Sequence, residues 1–92
     1  MDTHEAKAIL DQEIAQHCAL SREQLVELVN QHRVKEVLGP SGKRYSVELQ
    51  VLWDDREGGN LRILVSVDDG GVRAFFPATL DFVMAQDGSI LA

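Results

Sequence analysis

The sequence predicts an α+β fold: two N-terminal amphipathic helices packed on one face of an antiparallel β-meander of three to four strands, ending in a short C-terminal hairpin or helical turn. Three observations carry this expectation. Apolar residues recur at three- and four-residue steps up to about residue 33, then alternate with period two from Arg44 onward. Stretches rich in Asp and Gly punctuate the alternating part as turns. With 92 residues the chain is read as one domain, 1–92, with a helical half at 1–33 and a sheet half at 34–92.

In the first segment Ala6, Ile9, Leu10, Ile14 and Cys18 form one stripe, while Asp2, Glu5, Lys7, Asp11, Gln12 and Gln16 occupy most of the remaining surface. A helix of about four turns over residues 3–18 follows from that spacing. The second helix has a marked start. Ser21 and Gln24 fit a capping box, Leu20 and Leu25 sit at the hydrophobic-staple positions, and Glu23 lies in the first turn, where the helix dipole favours an anion. Leu25, Leu28, Val29 and His32 continue its stripe. Residues 34–38 either prolong that helix up to Gly39-Pro40, which breaks it, or form a short edge strand with Gly39-Pro40-Ser41-Gly42 as a hairpin loop; the β-branched content favours the strand.

Tyr45, Val47, Leu49, Val51 and Trp53 then share one face of a half-buried strand. After the polar loop 54–60, Leu61, Ile63, Val65 and Val67 repeat the pattern, and Asp69-Gly70 suits a type I′ turn into a strand carrying Val72, Ala74 and Phe76 up to Pro77. In that register Val67 faces Val72, Val65 faces Ala74 and Ile63 faces Phe76. For the last segment, Leu80, Val83 and Met84 have helical spacing behind Thr79. Phe82-Val83-Met84 and Ser89-Ile90-Leu91 around Gln86-Asp87-Gly88 equally suit a hairpin, toward which the reading leans.

The helix-then-strands order resembles the double-stranded-RNA-binding fold in topology alone. That fold contacts phosphates through Lys and Arg, and residues 79–92 contain neither. A formal charge of −6, shared equally between the two halves, argues against nucleic acid and against anionic lipid. The acidic, polar start Met1-Asp2-Thr3-His4-Glu5 does not read as a signal peptide, no apolar run reaches the length of a membrane helix, and a single cysteine closes no intrachain disulfide. A reduced, cytoplasmic protein is the expectation.

No constellation in the sequence carries catalysis. Cys18 continues the apolar stripe, and His17 points about 100° away from it around the helix. His4, His17 and His32 lack ligand spacing, so neither a metal nor a cofactor is expected. The acids Asp54, Asp55 and Glu57 miss the calcium-loop pattern and lie roughly 20–25 Å from Asp68 and Asp69 along a strand. Gly58-Gly59 and Gly70-Gly71 open no helix and cradle no phosphate. The chain is therefore read as a non-enzyme.

One surface feature stands out. On the sheet face that alternation assigns to solvent lie Leu52, Leu64 and Phe75, with Leu64 directly opposite Phe75 in the expected register and with Arg62, Arg73 and Glu48 around them. This patch is either covered by residues 79–92 or used as a contact surface. The functional expectation is a small protein-interaction or self-association module, a homodimer being one form, acting through Leu52, Arg62, Leu64, Arg73 and Phe75. The alternative is an acidic immunity-type or inhibitor protein that masks a basic partner.

Overall fold

The computed structural model describes residues 3–69 and 78–91. Helix α1 spans Thr3–Cys18 and α2 Arg22–Val26; strands β1 His32–Leu38, β2 Arg44–Trp53, β3 Leu61–Asp68 and β4 Ala78–Met84 form one antiparallel sheet in the order β1-β2-β3-β4. The class is α+β, but the two-helix layer is not there: α1 is the one long helix, and α2 is five residues.

Helix α1 buries the stripe its sequence announces. Ala6, Ile9 and Leu10 are buried, with Ile14 and Cys18 packed at the margin. The capping box of α2 is formed: Ser21 Oγ accepts from the Gln24 N–H at 3.1 Å, and Gln24 Oε1 accepts from the Ser21 N–H at 2.9 Å. The helix then stops early for a local reason. Val29 bridges to Val51, the Asn30 N–H donates to Val51 O, and Asn30 takes a left-handed φ of 66° that reverses the chain into β1. Residues 32–38 gain more from seven backbone pairings beside β2 than from a longer exposed helix. The sheet half thus begins at His32 rather than at 34. Residues 39–43 make the hairpin loop, with Gly42 at φ 88°.

Strands β2 and β3 form the middle of the sheet. Val47 opposes Val67, Leu49 Val65, Val51 Ile63 and Trp53 Leu61, so apolar meets apolar along the whole core face. Val51, Leu61, Ile63, Val65 and Val67 are fully buried, whereas Trp53 is half-buried at the core margin.

The next pairing corrects the expected register. Strand β3 pairs with Ala78–Met84, so Ile63 faces Phe82, Val65 faces Leu80 and Val67 faces Ala78. Both candidate partners alternate suitably, and length decides between them. With a turn at Asp69-Gly70, Pro77 would fall opposite Arg62 and end the ladder before Leu61. The observed register pairs β3 as far as Leu61 with Met84. The expected strand through Val72, Ala74 and Phe76, and Gly70 of the expected turn, lie outside the described residues. Beyond β4 the chain forms a small hairpin: Met84 bridges to Ile90, the Leu91 N–H donates to Val83 O and the Ala85 N–H to Ser89 O. The helical option for this segment is excluded.

Two polar clamps fasten these elements. At one end the Glu5 carboxylate, in the first turn of α1, accepts from Tyr45 Oη at 2.6 Å, Ser41 Oγ at 2.7 Å and the Ser41 N–H at 2.9 Å. A Cβ at Gly39 would come within 2.6 Å of that carboxylate, so a side chain there would displace Glu5 from the clamp. At the other end Arg22 lies over the Trp53 ring, 5.7 Å from its centroid, and donates to Gly59 O, Gly58 O and Ala85 O. It ties α2, the β2–β3 loop and the C-terminal hairpin to one guanidinium.

Two predictions follow from this packing. Ile63→Ala removes a fully buried branched side chain at the sheet centre and is expected to cost about 2–5 kcal/mol in urea unfolding. The second concerns acid. Glu5 is held below the usual carboxylate range chiefly by the Tyr45 hydroxyl, Asp55 chiefly by the Arg56 N–H, and Asp87 chiefly by the Ser89 hydroxyl. A carboxylate with a lowered folded pKa takes up its proton more readily in the unfolded chain. Its stabilisation is complete above the unfolded pKa, about 4, and disappears as pH falls through the folded value. The urea midpoint should hold from pH 7 to about 5 and then drop. Glu5→Gln should lower the midpoint at pH 7 and flatten the acid limb.

Candidate functional site

Strand β1 departs from its neighbours in how it uses its two faces. Opposite the buried Leu49, Val47 and Tyr45 of β2 it places Arg33, Lys35 and Val37, so two cations occupy the helix-side face. On the other face stand His32, Val34, Glu36 and Leu38, of which Val34 is 56% and Leu38 68% exposed. The reason lies above the strand. Helix α1 rests chiefly on β3 and β4, leaving the helix-side face of β1 partly open.

The opening is a cleft of about 350 Å³ lined by Glu13, His17, Arg33, Val34 and Lys35, with Val47 and Leu49 as its floor. Glu13 is only 6% exposed, and its Oε1 holds Lys35 Nζ at 2.7 Å. That pair makes the burial of a carboxylate on the core side of α1 tolerable. His17 Nδ1 lies 2.7 Å from Glu13 O. A carbonyl only accepts, so Nδ1 carries the proton and, in the neutral ring, Nε2 is the acceptor. Arg33 makes no ion pair among the described residues.

The outer edge of β1 is the second feature. The Gly39 N–H donates to Lys43 O at 2.8 Å, which sets the phase of the ladder. Alternation from that bond turns the N–H and C=O groups of His32, Val34, Glu36 and Leu38 away from β2, toward a side where no strand pairs among the described residues. On the opposite edge, β4 is partly closed by the Met84–Ile90 bridge.

Of the residues singled out by sequence, Leu52, Arg62 and Leu64 share the face away from α1, with Leu52 opposite Arg62. Leu64 stands between Gln50 and Asp81, not beside Phe75, as the β4 register requires. Both leucines are half-buried. Arg62 is engaged on two sides, its Nε 2.7 Å from Asp54 Oδ1 and its Nη1 on Asp81 Oδ2. Arg73 and Phe75 lie outside the described residues.

The other polar residues take structural positions. Asp55 Oδ1 accepts from the N–H groups of Arg56 and Asn60 inside its loop. Asp69 lies 3.6 Å from Lys43. His32, expected on the stripe of the second helix and partly buried, is exposed on β1 beside Glu48 at 3.4 Å. Cys18 ends α1, and burial pushes its thiol pKa up, away from the reactive thiolate. Among the described residues no three His, Cys, Asp or Glu side chains converge on a point, and no helix is long and apolar enough to cross a membrane.

Sequence reasoning passed over Glu13, Arg33 and Lys35. The signal was the phase of β1: its apolar Val34 and Leu38 fall on the face opposite to that of Val47 and Leu49. Lys35→Met should leave the Glu13 carboxylate buried without its cation and destabilise the fold by about 1–3 kcal/mol, discounted because Lys35 is half-exposed. Adding Glu13→Gln should restore part of the loss, a coupling that a double-mutant cycle in urea reads directly. Comparisons with protein-family models, with curated proteins and with solved structures find no significant match for this chain.

Proposed function

We propose that the protein acts by protein association, as a self-association module, and that two copies join through their β1 edges into one continuous sheet. The observation that carries this reading is a seven-residue edge that no strand pairs among the described residues, which turns four residues' backbone groups outward and bears exposed Val34 and Leu38. The complement of such an edge is another extended strand.

Geometry and charge narrow the pairing. A two-fold axis perpendicular to the sheet keeps each face on its own side, so opposed residues must lie on the same face. Centring on Glu36 sets Glu36 against itself, and centring on Lys35 puts Val34 opposite Glu36 and His32 opposite Leu38, with no complementary pair on that face. Centring on Val34 puts the two valines together and sets His32 of each copy opposite Glu36 of the other. On the helix side Arg33 then faces Lys35 of the second copy, whose charge is already engaged by Glu13. The Val34-centred register is therefore the favoured one.

This reading needs no catalysis, cofactor, nucleic acid or membrane. It suits a reduced cytoplasmic setting, in which the single Cys18 remains a thiol.

Sedimentation velocity tests the proposal. The parent chain is expected to run as a dimer. Val34→Pro should run as a monomer of near-parental stability, because the N–H it removes points away from β2. Val34→Thr, which keeps that N–H, should still dimerise. A parent that stays monomeric up to about 1 mM, or a Val34→Pro variant that remains fully dimeric, would overturn the proposal.

A further inference from the structure

We infer that the cleft between α1 and β1 binds a small organic anion, a monocarboxylate with a short apolar body. The argument is independent of β1 pairing and begins with sign. Glu13, Lys35 and Arg33 together carry one net positive charge, inside a chain whose formal charge is −6. A concave site of opposite sign to the rest of the molecule concentrates ions of the complementary charge.

The cations differ in their engagement, and that difference defines the ligand. Lys35 is held at the wall by the buried Glu13 carboxylate, yet an ammonium has three donors and this one is half-exposed. It can take a second acceptor without leaving the first. Arg33 has no ion pair among the described residues, and its planar fork matches a carboxylate with two parallel hydrogen bonds. The two side chains are two residues apart on one strand face, so their heads address the same opening.

The rest of the cleft favours an organic anion over an inorganic one. Its floor is the Val47 and Leu49 side chains, which offer an apolar body contact and offer a bare ion none. Its volume of about 350 Å³ is at the small end of ligand pockets, roughly 300–1,000 Å³. The His17 ring, fixed through Nδ1 to Glu13 O, closes the remaining wall.

Butyrate is a suitable probe, with butylamine carrying the same body under the opposite charge and chloride carrying charge without a body. In an amide and imidazole NMR titration, butyrate is expected to give saturable shifts at Arg33, Lys35, Val47, Leu49 and the His17 ring. Butylamine should give none there, and chloride only weak, non-saturating ones. Arg33→Gln, a change at an exposed position that leaves the core untouched, should weaken butyrate binding at least about tenfold. Sedimentation of the same samples reads association separately, which keeps occupancy of the cleft distinct from the question of pairing. Shifts that fail to saturate by about 50 mM, that butylamine reproduces, or that persist unchanged in Arg33→Gln would overturn the inference.

Discussion

A single long helix has to cover four strands, and most of the structure follows from its inability to do so. A helix with its side chains is about 10–12 Å across. Four strands at about 4.8 Å spacing put the outer axes some 14 Å apart, before their side chains are counted. Helix α1 settles over β3 and β4, and Leu20, Leu25, Val26, Leu28 and Val29 fill in beside it. What remains thinly covered is β1. Its helix-side positions accordingly hold Arg33 and Lys35, whose stems can lie along the sheet while their charged heads reach water. The buried Glu13 is the counterpart of that choice on the helix.

The same shortage of cover explains why charged side chains fix the ends of the fold. With so little area under one helix, α1 would be free to slide on a smooth β-branched surface. Glu5 prevents this at one end by joining α1 to Ser41 and Tyr45, thirty-six and forty residues away in sequence. At the other end Arg22 anchors α2, gathering three backbone carbonyls over the Trp53 ring. Each clamp bonds a charged group to several partners at once, an arrangement stronger and more directional than isolated surface ion pairs.

How much of this could be read from the chain depends on whether the information was local. The α1 stripe, the Ser21–Gln24 capping box and the period-two runs of β2 and β3 are local patterns, and each appears where its residues place it. The length of α2 was not legible, because Leu28 and Val29 reach the core equally well from a turn as from a helix. The partner of β3 was not legible either. Two later segments alternate in the right phase, and the ladder's reach to Leu61 decides between them only once the whole sheet is assembled. The clamps and the Glu13–Lys35 pair join residues twenty-two to sixty-three positions apart, beyond any window of periodicity. Of the candidate surface, Leu52, Arg62 and Leu64 do share a face, but Asp54 and Asp81 occupy the Arg62 guanidinium. An arginine so engaged is a weaker interface anchor than its sequence context implies.

The two proposals meet on one strand, and their chemistry makes them cooperative if both hold. Inward-pointing charges on an edge strand oppose indiscriminate pairing, which is how many sheets avoid aggregation. In β1 the opposite face favours one register, in which His32 meets Glu36 and Val34 meets itself. The residual cost of that register is Arg33 of each copy facing Lys35 of the other on the helix side. A carboxylate held between Arg33 and Lys35 neutralises that opposition in both halves of the joined sheet. By linkage, whatever an anion adds to pairing, pairing adds equally to the affinity for the anion. Charge that keeps the edge selective in the free chain would then be the means by which a ligand regulates it.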